Sequence, residues 1–266
     1  MQAVSTPRAN QAGLQTRHLL VAAVPLLLIA ALVGIYLASP HFYLQFVLIG
    51  TSREHQAVEL ITFVCSALAG LLLLVSFRRL WRSPAAGEGM AERRGAAMIV
   101  GLIALATIFF AGEEISWGQS YFGWKSPESI KDHVPETNLH NIRGLPFSIN
   151  SLGSLFLIIM FIVLPILWRW STSRASNAKT ARCLPISWEP AMAEGAVVFS
   201  MAVAFCWKFF KDIYKRVPEA EQTTFYVEFV EQINEQKEML VAVTILMYAL
   251  YRLAATKRLS GASRTS

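Results

Sequence analysis

The stretch GAAMIVGLIALATIFFAG, residues 95–112, decides the fold. It carries no charge, begins directly after Arg93 and Arg94, and ends directly before Glu113 and Glu114. At a helical rise of about 1.5 Å per residue, it is long enough to cross most of an apolar layer of about 30 Å. Working outward, five more apolar runs have the same character, at 19–38, 57–77, 151–168, 191–207 and 233–252. The run at 191–207 contains Glu194, and the apolar part of the last is only Met239 to Tyr251, so both depend on the surrounding bundle. The expectation is an all-α polytopic membrane helical bundle of about six transmembrane helices. It forms a single membrane domain over 1–266, with long loops at 113–150 and 208–232.

Composition agrees with that reading. The 266 residues are 54% hydrophobic and only 16% charged, with a mean hydropathy of +0.43, outside the usual soluble globular range. The apolar run after Arg17 and His18 is longer than the core of a cleavable signal peptide and is read as the first span. Cys65, Cys183 and Cys206 show no spacing that suggests a disulfide framework or a thiolate metal site, and are read as packing residues.

The net charge of +6 reflects topology rather than a nucleic-acid partner. Arg78, Arg79, Arg82, Arg93 and Arg94 lie between the second and third runs. Arg169, Arg174, Lys179 and Arg182 lie between the fourth and fifth, and Arg252, Lys257, Arg258 and Arg264 follow the sixth. Short cytoplasmic loops are enriched in such residues, which predicts a bacterial inner-membrane protein with both termini in the cytoplasm. All but four of the 18 acidic residues then fall towards the outer side.

Depth groups several of those acids. Glu59 and Glu113 are each nineteen residues from an inner arginine, Arg78 and Arg94, which places both about 28 Å away at the outer edge of the bilayer. Glu235 and Glu238 precede Arg252 by a similar distance, and Glu228, Glu231, Glu235 and Glu238 have the spacing of one helix face. His55 is four residues from Glu59 and shares its face. Carboxylates crowded at low dielectric must take up protons, pair with cations or bind metal, and all of these states are chemically useful. Solvation, with pairing to Lys208, Lys211, Lys215, Arg216 and Lys237, is the competing explanation, and suits Glu228 and Glu231 best. Glu194 is assigned a structural role.

The densest polar string is GEEISWGQSYFGW, residues 112–124, followed by ETNLHN at 136–141. Glu113 and Glu114 differ by about 100° around a helix, so one can act as base or ligand while the other pairs or orients. His140, flanked by Asn138 and Asn141 and four residues after Glu136, is the preferred histidine for acid–base or ligand chemistry. Trp117, Tyr121, Phe122 and Trp124 form an interfacial aromatic belt. Within this string Trp117 and Gln119, with Asn138 and Asn141, are the expected substrate contacts.

In these strings the chain resembles an uncharacterised family of bacterial integral membrane proteins marked by EEISWGQ-like, FG and ExNLHN-like motifs. Here they are Glu113 to Gln119, Phe122 with Gly123, and Glu136 to Asn141. The resemblance implies a multi-span membrane protein and carries no activity. A weaker similarity is to CAAX-type glutamate intramembrane proteases. Glu113 and Glu114 match their paired acids, but Gly118 stands where that family has arginine, and the spans have no FxxxH or HxxxN.

The functional expectation is a membrane-embedded enzyme, a metal- or glutamate-dependent hydrolase acting on a lipid or membrane-associated substrate at the outer face. Glu113, Glu114 and His140 are its catalytic candidates. Glu59, His55, Glu113, His140, Glu235 and Glu238 are candidate ligands for a divalent ion, zinc, manganese or iron. The alternatives are a cation- or proton-linked transporter and a non-catalytic scaffold subunit. No phosphate-binding, nucleophile-elbow or HExxH motif is present.

Overall fold

The computed structural model describes residues 8–48, 57–82, 90–115, 117, 122, 149–175, 191–214, 216 and 229–262. Every regular element among them is helical. The first helix, α1 (Arg8–Ala38), leads into a one-turn α2 (Pro40–Phe42) and a π-helical turn, Tyr43–Leu48. Then come α3 (Ala57–Arg82) and α4 (Met90–Glu114). Next, α5 (Ile149–Ile158) continues through a second π-helical turn, Ile159–Val163, into α6 (Leu164–Ala175). The chain closes with α7 (Gly195–Tyr214), a 3-10 turn at Val230–Gln232, and α8 (Ile233–Ala262).

Five of these segments are long and apolar enough to cross a membrane: His18–Ala38, Ala57–Arg82, Arg93–Glu114, Ser151–Ser173 and Ile233–Lys257. The bundle is completed by α7, which starts at Gly195 rather than at 191 and runs on to Tyr214. Its last two turns therefore contain Lys208, Lys211 and Asp212, which had been expected in a loop. The helix tolerates Lys211 because that side chain is buried within the bundle, so it continues past the apolar part of its own sequence.

Exposed apolar stripes on the helices match an apolar surrounding. Leu60, Val64, Leu68, Leu71 and Val75 run down the outside of α3, and Met98, Leu102, Leu105 and Phe109 down that of α4. On the inward faces small residues allow close approach. Gly70 of α3 meets Ile108 and the Ala104 carbonyl of α4, whose inward residues Ala96, Ala97, Val100 and Ala104 are all buried. The central helix is α8, with 61% of its apolar window buried, whereas the window through α5 and α6 is only 11% buried. In that poorly covered helix Phe161 is fully buried and meets the Tyr248 ring edge-on at 5.1 Å. Cys65 is half-buried, as a packing residue should be, but Cys206 is exposed on α7 and does not belong to the core.

The helices alternate in direction, giving the bundle two chemically distinct ends. At one end Arg252 pairs with Glu194 at 3.0 Å and lies over the Tyr248 ring, Tyr248 Oη donates to the Ala191 carbonyl at 2.7 Å, and Arg169 donates to the Ala193 carbonyl at 2.8 Å. These contacts tie residues 191–194 to α6 and α8. The other end carries Glu59, Glu113, Glu114, Glu235 and Glu238.

Candidate functional site

At the acidic end, Glu59 lies in the first turn of α3, Glu113 and Glu114 in the last turn of α4, and Glu235 in the first turn of α8. Because α4 runs opposite to α3 and α8, the three helices bring their acids to one level. Glu114 lies within electrostatic range of Glu238, Glu235, Glu59 and Lys237, in decreasing order of effect. Glu235 in turn interacts with Glu238, Lys237 and Lys211. Four carboxylates, Glu59, Glu114, Glu235 and Glu238, thus share this end with Lys237 and Lys211, and both lysines are more than nine-tenths buried.

The lysines reveal a part of the site that depth alone did not show. Lys237 Nζ lies 3.4 Å from Glu238 Oε1, so the pairing expected of a solvated helix does occur at Glu238, although inside the bundle. Among the described residues Glu114 accepts no hydrogen bond and forms no ion pair. Of the carboxylate face expected from Glu228 to Glu238, Glu228 lies outside the described residues; the backbone is a 3-10 turn at Val230–Gln232, and the α-helix that carries Glu235 and Glu238 begins at Ile233. Phe229, Val230 and Ile233 are fully buried there, which anchors the turn and lets α8 begin inside the bundle.

Glu113 is held differently from its neighbour. It is 5% exposed, and the indole Nε1 of Trp117 donates to its Oε1 at 2.5 Å. To reach back one turn, Trp117 adopts a left-handed backbone, with φ at 54°, and its ring packs against Gly112 and the edge of Phe109. A Cβ at position 112 would lie 2.7 Å from that ring, so only glycine permits the arrangement. Trp117, expected as a substrate contact, also donates to and positions the Glu113 carboxylate.

One cavity, of about 340 Å³, adjoins the cluster. Glu113, Glu114, Lys237 and Glu238 form its polar end. Its walls are mostly apolar, with Ile103 and Phe110 from α4, Leu152 and Phe156 from α5, Phe205 from α7, and Val241 and Ile245 from α8, interrupted by the hydroxyl residues Thr107 and Ser154. From Glu114 to Ile103 it follows α4 for about 16 Å. Its volume is at the lower end of the range for small-molecule sites.

Behind the acids, Gln236 is fully buried and connects three elements. It accepts from Trp207 Nε1 at 2.7 Å, and donates to Tyr43 Oη at 2.6 Å and to the Phe229 carbonyl at 3.4 Å. Tyr36, Tyr43, Phe229 and Trp207 pack around it as an aromatic cluster. Burial raises the Tyr43 phenol above its ordinary range, so it remains a neutral hydroxyl.

Of the residues singled out in the sequence, His55, Gln119, Asn138, His140 and Asn141 lie outside the described residues. Among the described residues no three of His, Cys, Asp and Glu are arranged to hold a metal ion. Comparison with protein-family models, with curated proteins and with solved structures finds no match.

Proposed function

We propose that the protein is a membrane-embedded, glutamate-dependent hydrolase acting on an amphiphilic substrate at the acidic end of the bundle. In this reading it sits in a bacterial inner membrane, with the arginine-rich end in the cytoplasm and the acidic end on the other side. The observation that carries it is the position of Glu114 and Lys237 together at the polar end of a largely apolar cavity. A base and a cation at one end of a lipid-compatible cleft can serve acyl hydrolysis as general base and oxyanion stabiliser.

Glu114 takes a proton from water as the water oxygen attacks a carbonyl carbon of the substrate. The Lys237 ammonium stabilises the oxyanion that forms. As the intermediate collapses, the proton passes from Glu114 to the departing oxygen or nitrogen and the C–O or C–N bond breaks. Glu113, fixed by Trp117, keeps the end of α4 in register. A metal-dependent form of the reaction, with zinc, manganese or iron held by Glu59, Glu113, Glu235 or Glu238, would draw its imidazoles from His55 or His140. Transport of a cation or proton would need a polar path beyond the cluster, and the cavity instead runs to Ile103, Val241 and Ile245.

The test is incubation of purified protein in lipid nanodiscs with a fractionated membrane-lipid extract, followed by mass spectrometry of released fragments. Product is expected from the wild type and is lost in Glu114→Gln and reduced in Lys237→Met, with helical circular dichroism unchanged. Cation flux in proteoliposomes without any hydrolytic product would replace this reading with transport.

A further inference from the structure

The inner half of the cavity is apolar and closed. Thr107 is the innermost hydroxyl residue that α4 contributes to the lining, and its Oγ1 donates to the Ile103 carbonyl at 2.7 Å, so its hydrogen is already used. From there inward the lining is Ile103, Leu157, Phe205 and Ile245, one from each of four helices. Apolar cavities of this kind stay dry and take up apolar guests. About one turn further in, the same four helical segments each place a fully buried side chain: Val100, Phe161, Met201 and Tyr248. The Phe161 and Tyr248 rings meet edge-on, and the Tyr248 hydroxyl is fastened to the Ala191 carbonyl. This layer is the floor of the cavity.

The floor fixes a length. Ile103 is eleven residues from Glu114 on α4, and Ile245 is eight from Lys237 on α8, so the apolar channel is about 12–16 Å deep. Carbon–carbon bonds of about 1.5 Å advance an extended chain by about 1.3 Å each, which allows roughly nine to twelve carbons. Volume gives a matching figure. A methylene takes about the same space as a water's share of the liquid, about 30 Å³, and the cavity of about 340 Å³ then holds about eleven. Phe109 and Leu152 line the cavity and are also exposed, so a chain can enter sideways from the bilayer between α4 and α5.

We propose that the cavity is a length gauge for a single acyl chain of about ten to twelve carbons, with its carbonyl at Glu114 and its methyl end against Ile103 and Ile245. This inference rests on the cavity being the substrate site described above, and it names the substrate class: esters or amides of a medium-length acyl chain. A shorter chain leaves the floor bare and forfeits dispersion contacts, and a longer one must fold back on itself. Ile103 and Ile245 are therefore the residues that determine chain specificity.

The experiment is photo-crosslinking of the full chain in nanodiscs. The probe is an uncharged alkyl glycerol ether of about eleven carbons with a diazirine at its chain end, which cannot be hydrolysed as an ester can. Unlabelled ethers of about eight to about eighteen carbons compete with it at equal mole fraction. Crosslinks are expected on peptides containing Ile103 or Ile245, with competition best at about ten to twelve carbons and at least about fivefold weaker at about sixteen. Ile245→Ala should move the optimum up by about two carbons, because the atoms removed lengthen the cavity. Ile103→Ala should do the same, and serves where the first variant does not fold. Leu102→Ala, beside Ile103 but exposed on the outside of α4, leaves the optimum in place. Equal competition by every length, or an optimum that neither variant moves, with crosslinks still at the floor, overturns the gauge and leaves the hydrolase reading standing. Absence of crosslinks from the cavity, with thermal stability unchanged, overturns both. An optimum that moves as expected, with no product released from the lipid extract, supports the gauge and removes hydrolysis alone.

Discussion

Gln236→Leu should destabilise the fold more than any other single change near the site. The side chain is fully buried and replaces water for three partners: the Trp207 indole, the Tyr43 hydroxyl and the Phe229 carbonyl. Leucine fills nearly the same space but offers none of these bonds. The Trp207 N–H and the Phe229 carbonyl lose their partners, at about 1–3 kcal/mol each, while Tyr43 retains a hydrogen to donate elsewhere. The expected loss is about 2–4 kcal/mol. It can be read as equilibrium unfolding in mixed micelles, with far-ultraviolet circular dichroism reporting helix. Adding Trp207→Phe removes the orphaned donor, so the double variant should recover about 1–2 kcal/mol relative to additivity. Catalysis should also suffer, because successive residues on α8 are about 100° apart and an inward Gln236 fixes the directions of Glu235, Lys237 and Glu238. If Gln236→Leu lies within about 0.5 kcal/mol of wild type, or the two changes are simply additive, the network does not hold the helix as described.

Three further outcomes are expected. Gly112→Ala pushes the Trp117 ring away and frees Glu113 from its donor, so turnover falls by up to about 100-fold with little change in thermal stability. Gly70→Ala should do the reverse, costing about 1–3 kcal/mol of stability with turnover per folded molecule retained, since its Cβ would lie 2.5 Å from Ile108 in the packing of α3 on α4. A cysteine placed at Ser173 should react with an impermeant thiol reagent only after lysis, whereas cysteines at Ser126 and Gln222 should react in intact cells. The opposite pattern reverses the orientation.

Four of the helices were legible because their apolar runs are uninterrupted, and no tertiary contact is needed to see them. The helix from Gly195 to Tyr214 was harder, since Lys208, Lys211 and Asp212 look like the start of a loop until packing shows Lys211 inside. The level of the acids was readable from helical rise alone, as Glu59, Glu113 and Glu235 are counted from arginines on the same helix. Their counter-charges were not, because whether Lys237 points to solvent or to Glu238 depends on which face of α8 the neighbours cover. Gln236 was the least visible. In the string EQINEQKE it looks like one more polar residue on a wet helix, and only the aromatic side chains of Tyr43 and Trp207, distant in sequence, turn it into a buried junction.

The π-helical turn at Ile159–Val163 divides its helix into two α-helical rods. A π turn spends one residue more than an α turn on the same revolution, so the extra residue is absorbed locally and the two rods keep their facing. Above the splice, Leu152 and Phe156 form the thin wall of the cavity. Below it, Arg169 is fastened to the Ala193 carbonyl. The extra residue thus marks the seam between the part of the helix that lines the cavity and the part fastened at Arg169.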